Sequence, residues 1–234
     1  MASTQALGKL HKSSRLVYRA AENSEEDIAF FHDQIINDET IQTLSTGRLP
    51  RPSHKKSAEE FIKVIQESML GVIICLPPQD SPGPETESST EAQTLNRPVQ
   101  KSKPVPIGHI SLFSLTGSGY SHHRNAMIGI SLVDGFRGKG YGGEAINWAL
   151  DWGFQHAGLH RITIGGFSFN HNALKLYRKL GFVDEGRERE AIYHRRAWHD
   201  IVSLSMLEHE WEGLRGIAPA QSDRTPSLPE VSDQ

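Results

Sequence analysis

The sequence predicts an α/β (α+β) fold built on a mixed sheet with helices, in the order β-α-α-β-β-β-α-β-α-β-β. Three observations lead there. Segments of helical periodicity alternate with short apolar runs, which puts both element types into one core. Of the 12 prolines, none lies between Ile107 and Ala218, so the alternation runs unbroken through the second half. At 127–157 a strand-like run passes through a turn with five glycines straight into a helical pattern.

Leu16–Arg19 (LVYR) reads as a first strand, and a helix follows from Ser24 to Ile36. Ser24 with Asp27 three residues on forms an N-cap with an acidic first turn. Ser57–Ser68 opens SAEE and carries Phe61, Val64 and Ile65 at helical spacing, which predicts a second helix. Met69–Leu76 and Ile107–Leu115 are strands on either side of a Pro/Ser/Thr/Glu-rich stretch, and Met127–Val133 is the next. Gly140–Ala157 is a helix with Ile146, Ala149, Leu150, Gly153 and Ala157 along one face. Arg161–Phe167 is a strand, Asn170–Leu180 a helix, and Phe182–Glu190 and Asp200–Leu207 are the closing strands.

With 234 residues the chain has room for one domain with tails. Residues 77–105 hold half of the prolines and almost no large apolar side chain, so they read as a disordered insertion. Its closure costs little, because loop entropy grows slowly with length. Residues 1–14 and 212–234 read as a disordered head and tail around a domain at 15–211. The head lacks acidic residues, as targeting leaders do, but it has no amphipathic arginine pattern and reads as a basic tail.

Composition excludes several classes. A net charge of −3 is not the footprint of non-specific nucleic-acid binding. No apolar run approaches the roughly 18 residues of a membrane span. The single cysteine, Cys75, rules out an intrachain disulfide framework and a cysteine-rich zinc site. Twelve histidines raise the question of a metal, yet no H-E-x-x-H pattern or matching carboxylate accompanies them. The expectation is a cytoplasmic protein, with the nucleus left open, that binds neither nucleic acid nor membrane and needs no metal.

The segment MIGISLVDGFRGKGYGG (Met127–Gly143) carries the most chemistry. Glycines let successive backbone N–H groups point into one concavity, and the next helix N-terminus adds partial positive charge. That is the recipe for a phosphate or pyrophosphate site, and Arg137 and Lys139 add cations. A P-loop is excluded, because Lys139 is followed by Gly140 rather than Ser or Thr. Gly138, Gly140 and Gly143 match a dinucleotide fingerprint in spacing. The strand is not the first, however, and Ile162–Gly166 lacks the acidic residue a ribose requires.

Arg137, Gly140 and Gly142 resemble the acetyl-CoA signature [QR]-x-x-G-x-[GA] of the GNAT superfamily of N-acetyltransferases. A second block, Asn170 to Phe182 (NHNALKLYRKLGF), resembles the family's N-x-x-A-x-x-x-Y-x-x-x-G-F element at every position. Ala173 and Tyr177 share a helix face, and Gly181 suits a left-handed cap. The opening segment and the closing block Tyr193–Trp211 resemble the subgroup that includes ribosomal-protein N-terminus acetyltransferases.

The resemblance implies a GNAT-type, mostly antiparallel sheet and acetyl-CoA as acetyl donor. It implies that the backbone from Gly138 through Lys139, Gly140, Tyr141 and Gly142 to Gly143 cradles the pyrophosphate beside Arg137. Leu132 and Val133 would pair with the pantetheine arm, Asn170 would hydrogen-bond it, and Tyr177 would protonate the leaving thiolate. Backbone N–H groups at a splay between Ile130–Val133 and Ile162–Gly165 would polarise the thioester carbonyl. The acceptor is a primary amine on a protein N-terminus, a lysine or a small molecule, and the chain a monomer or homodimer. Deprotonating an amine of pKa near 10 at pH 7 costs on the order of 4 kcal/mol, so a base is expected. Glu39, His109, His122, His123 and Glu144 are the candidates. The rival function is a non-catalytic acyl-CoA-binding module on the same fold.

Overall fold

The computed structural model describes residues 10–78, 102–114 and 118–217. Most of the expected head, insertion and tail lies outside these residues.

One seven-stranded sheet organises the domain, in the order β1-β2-β3-β4-β5-β7-β6. The strands are β1 (Val17–Ala20), β2 (Leu70–Leu76), β3 (Val105–Phe113), β4 (Asn125–Leu132), β5 (Arg161–Phe167), β6 (Val183–His194) and β7 (Ala197–Leu207). Every neighbour pairing is antiparallel except β4 with β5, as expected of a mixed, mostly antiparallel sheet. The β4–β5 pairing is short. It runs only from Asn125↔Arg161 to Met127↔Thr163, after which the strands part.

Period-two alternation sends the residues of each strand to opposite faces. On one face Ile110, Leu112, Ile128, Ile162, Ile164 and Leu204 pack under α4 (Tyr141–Gln155) and α5 (His171–Lys179). On the other, Ile73 and Cys75 pack under α1 (Glu25–Ala29), its π-helical continuation Phe30–Ile36, and α3 (Lys55–Glu67). Ser24 caps α1 through a bond from the Asp27 N–H, as the sequence predicts. Cys75 is fully buried in this cluster, with Arg19 acting on its thiol.

Two helices were not expected. Asp38 caps α2 (Glu39–Ser45), accepting the Ile41 N–H at 2.6 Å. The helix α6 (Glu208–Arg215) covers the sheet end, with Trp211 buried and its indole N–H donating to Asp151 Oδ1 at 2.9 Å. The expected tail therefore starts too early, since 212–215 is helical. The expected insertion runs too far, because Val105 already pairs with Leu76 in the sheet. The expected head overlaps structure too: Lys12 bridges to Val17, and the Trp148 indole N–H donates to the Leu10 carbonyl. Trp148 stacks on Tyr18 with ring centroids 3.7 Å apart, a packing role. No helix among the described residues is long and apolar enough to cross a membrane.

Candidate active site

Where β4 and β5 part, a cleft of about 2470 Å³ runs across the sheet. Past Met127 the second edge of β4 has no strand partner among the described residues, so Ile128–Leu132 faces Ile164–Phe167 across a gap. The expected splay is thereby shifted on the β5 side, because Ile162 and Thr163 are still paired with Ala126 and Met127.

β4 leads into the glycine turn at one end of this cleft. Gly138 and Gly140 have φ of 73° and 83°, the left-handed region that glycine enters without strain. A Cβ at Gly138 would meet nothing within 4 Å, so that side of the loop is open; one at Gly140 would lie 3.2 Å from Arg15 Nη2. Gly142 and Gly143 face Leu176 and let α4 and α5 approach closely. The α4 N-terminus thus ends at an open, glycine-lined concavity, which fits a pyrophosphate. Gly138, Gly140, Gly142 and Gly143 line the cleft, as do Leu132 and Arg137.

The cationic side chains depart from expectation. Arg137 does not reach freely into the cleft: its Nε donates to the Leu132 carbonyl at 2.8 Å and its Nη2 to Asp38 Oδ1 at 3.0 Å. It ties the glycine turn to the cap of α2. Lys139 sits with its ammonium 5.6 Å from the centre of the Phe136 ring. The Val133 N–H is committed to the Ile107 carbonyl and its side chain packs on the α1–α3 side.

An unexpected clasp holds the turn from outside. Glu144 accepts the Ser13 hydroxyl at 2.7 Å, the Arg15 N–H at 2.6 Å and Arg15 Nε at 2.8 Å. Arg15 also donates to the Lys139 carbonyl at 3.1 Å and lies over the Tyr141 ring at 4.6 Å. Burial alone would push the Glu144 carboxyl up, but these donors and the guanidinium charge bring it below its ordinary value. With both oxygens engaged, Glu144 serves the clasp and not proton abstraction. Nothing local in the sequence announces the contact, which joins residues 129 positions apart.

Opposite the turn, Asn170 caps α5 by accepting the Ala173 N–H at 3.3 Å, and Gly181 at φ 99° ends it. That frame holds Tyr177 at the cleft, 8% exposed, with its ring against Gly166, and burial pushes its phenol up to about 12. The hydroxyl makes no hydrogen bond with a described residue. Asn170, Ala173, Gly165 and Gly166 line the same stretch.

The acceptor-side candidates scatter. His122 and His123 are exposed in a 3₁₀ turn (Ser118–His123), their rings 3.9 Å apart. Glu39 opens α2 on the exposed side. His109 lines the cleft, and its Nδ1 is buried without a hydrogen-bond partner among the described residues. The wall above it comes from α2, through Ile41 and Leu44, and from Phe61 and Val64 of α3. Asp38 ahead of Ile41 and Leu44 was the available signal for α2. Among the described residues no cluster of three metal-ligating side chains occurs.

Residues 15–183 match the family model described as Acetyltransferase (GNAT) domain. The chain belongs to the GNAT acetyltransferase family. Among curated GNAT relatives, the putative ribosomal N-acetyltransferase YdaF of Bacillus subtilis is 32% identical over 106 residues, 45% of this chain and 56% of that protein. The spermidine N(1)-acetyltransferase of Vibrio cholerae is 32% identical over 89 residues, 38% of this chain and 51% of that protein. The matched stretch thus spans about half the length of these relatives. Solved structures that share the GNAT fold include the following two. The Vibrio cholerae spermidine N-acetyltransferase in complex with CoA and spermine superposes with a TM-score of 0.63 at 22% identity, covering 85% of this chain and 99% of that one. A Bacillus anthracis GNAT acetyltransferase gives 0.61 at 20%, covering 85% and 98%.

Proposed function

We propose that the chain is an acetyl-CoA-dependent N-acetyltransferase that transfers acetyl to a primary amine by direct attack on the thioester, with a small amine as acceptor. The observation that carries this reading is the open β4 edge running from the gap into the glycine turn, with a buried phenol across it. Membership of the GNAT family and similarity to N-acetyltransferases such as YdaF and the Vibrio cholerae spermidine enzyme support it.

In this reading the acyl thioester supplies an electrophilic carbonyl carbon. Backbone N–H groups of the glycine turn, from Gly138 to Gly143, take the pyrophosphate, with Arg137 bracing the turn rather than binding phosphate directly. The free edge of β4 up to Leu132 pairs with the amide arm, and backbone N–H groups in the gap take charge developing on the carbonyl oxygen. Asn170 fixes α5, and Tyr177 donates its phenolic hydrogen to the departing sulfur. A phenol held near 12 stays protonated at neutral pH, so it is a constant donor to a thiolate whose ordinary pKa is about 8.5. Holding amine and thioester together in the gap removes much of the entropic barrier. A protein N-terminus, to which the similarity to YdaF points, is the second acceptor class to test.

Thiol release from acetyl-CoA, measured over a panel of amines, lysine and N-terminal peptides with Tyr177→Phe alongside, tests this. The expected result is turnover on at least one acceptor, reduced about 10²-fold or more in the variant, which keeps its melting temperature and acetyl-CoA affinity. Full turnover by Tyr177→Phe removes the phenol from the mechanism. Tight acetyl-CoA binding with no release on any acceptor favours a non-catalytic acyl-CoA-binding module.

A further inference from the structure

The far side of the gap carries a feature the acetyl-transfer reading leaves unused. His109 stands in the middle of the sheet, in register with Ile73 on β2 and Ser131 on β4, and so on the face covered by α1–α3. Ser131 immediately precedes Leu132, where β4 runs along the gap. His109 is 5% exposed and lines the cleft, and its Nδ1 has no hydrogen-bond partner among the described residues. Leaving a buried polar atom unpaired costs about 1–3 kcal/mol, and such atoms in native folds call for an explanation.

The surroundings say what kind of partner fits. The ring is framed by Phe61 at 5.1 Å and Phe31 at 5.9 Å, and its register neighbours Ile73 and Ser131 are uncharged. The floor beside it is Ser111, Gly129 and Met127, and the wall is Ile41, Leu44 and Phe61. Burial in these surroundings lowers the imidazole to about 4, so the ring is neutral at pH 7 and one nitrogen is available as an acceptor. Further along the cleft, the charged lining residues are Glu60, Glu67 and Glu188 against Arg48, Arg51, Arg124 and Arg137. With Arg137 paired to Asp38, Arg124 to Glu208 and Glu67 to Lys63, two carboxylates stand against two guanidinium groups, which gives no field that favours a polycation, and no carboxylate lies on the floor among the described residues.

We propose that the acceptor is a primary amine with one amino group on an apolar body, and that His109 Nδ1 takes the hydrogen bond and then the proton of that amino group. The proposal rests on the acetyl-transfer reading above and assigns its acceptor side. The amine enters as its free base, its ammonium proton left in water, since an imidazole held near 4 does not deprotonate an alkylammonium; as its nitrogen bonds to the carbonyl carbon, the carbon–sulfur bond breaks and its electron pair leaves on sulfur. The proton shed by nitrogen passes to Nδ1 and on to cleft water, while sulfur is protonated from the Tyr177 side, whose phenol regains its proton from water. Amine and thioester thereby become amide and thiol, with no other reactant.

Thiol release is measured with benzylamine and with spermidine, for the wild type and for His109→Phe, which keeps an aromatic ring between Phe31 and Phe61 and deletes the nitrogen. The expected kcat/KM for benzylamine exceeds that for spermidine by about tenfold or more. His109→Phe is expected to lose about 30-fold of it, with melting temperature no lower and acetyl-CoA affinity unchanged. Preference for spermidine, or full activity of His109→Phe, overturns the proposal. Nitrogen-15 NMR of histidine-labelled wild type, with CoA and benzylamine both present, gives a readout independent of turnover. A shift of the His109 Nδ1 resonance on adding the amine supports the contact, and an unmoved resonance overturns it. Failure of the acetyl-transfer reading looks different: no acetyl-CoA binding and no turnover on any amine.

Discussion

Replacing Glu144 with alanine tests whether the N-terminal strap belongs to the cofactor end of the site. The carboxylate receives the Ser13 hydroxyl, the Arg15 N–H and Arg15 Nε, all within 2.8 Å. Hydrogen bonds to a charged acceptor are worth about 1.5–3 kcal/mol when buried, so about 1 kcal/mol each is appropriate for the hydroxyl and the backbone N–H at this half-covered position. The Arg15 side chain is 49% exposed, so its ion pair adds only about 0.5 kcal/mol. A carboxylate in the first turn of α4 contributes about 0.3–1 kcal/mol against the helix dipole. The expected loss is therefore about 3–3.5 kcal/mol, or about 6–14 °C of melting temperature for a chain of this size. Freed of Glu144, Arg15 also releases the Lys139 carbonyl, and affinity for acetyl-CoA should fall. Because the carboxyl is held below its ordinary value, its contribution is complete above about pH 4.3 and disappears as pH falls through the folded-state value. Differential scanning fluorimetry at pH 7 and near pH 3.5 reads both effects. A variant that melts with the wild type at pH 7 and binds acetyl-CoA equally well refutes the clasp.

Three further outcomes follow from the same contacts. Asp27 is buried, accepts two bonds from Arg19 and one from the Glu22 N–H, and is held low by them although burial pushes the other way; Asp27→Ala should cost about 2–4 kcal/mol, Arg19 being partly exposed, and urea melts should show a smaller stability loss in the variant than in the wild type as pH drops from 6 to 3. Trp211→Ala should cost about 3–5 kcal/mol in the same melts, a penalty that a dispensable tail would not show. Gly140→Ala places a side chain at φ 83° beside Arg15 and should add about 1–2 kcal/mol of strain, with weaker acetyl-CoA binding by calorimetry.

Much of this architecture is legible in local sequence, and the exceptions share a cause. The strand Arg161–Phe167 has the predicted bounds, and α5 lies between its Asn170 cap and Gly181, because caps, glycine ends and apolar spacing are signals carried by neighbours in the chain. Helix α2 escaped because only Ile41 is buried in it, and its stability comes from an Asp38 cap shared with Arg137 of the distant turn. Helix α6 escaped because its polar residues resemble a tail until Trp211 finds Phe154 and Asp151. β6 extends to His194, past the predicted Glu190, because its partner β7 begins at Ala197 and supports the charged run across two irregularities in register. In the site, the glycines and Tyr177 could be named from the chain. The engagement of Arg137, the Glu144 clasp and the unpaired His109 nitrogen are tertiary facts. Two of them join residues about a hundred positions or more apart, and the third depends on which helices cover one face of the sheet.

The central claim is that the β4–β5 gap holds acetyl-CoA and passes its acetyl group to an amine. Incubating the protein with acetyl-CoA labelled with carbon-13 in the acetyl group and an amine panel, then identifying products by mass spectrometry, tests it most directly. The account predicts a labelled acetyl amide of at least one amine, with one thiol released for each amide formed and both lost together in Tyr177→Phe. Acetyl-CoA that binds tightly yet yields no labelled amide with any amine contradicts it.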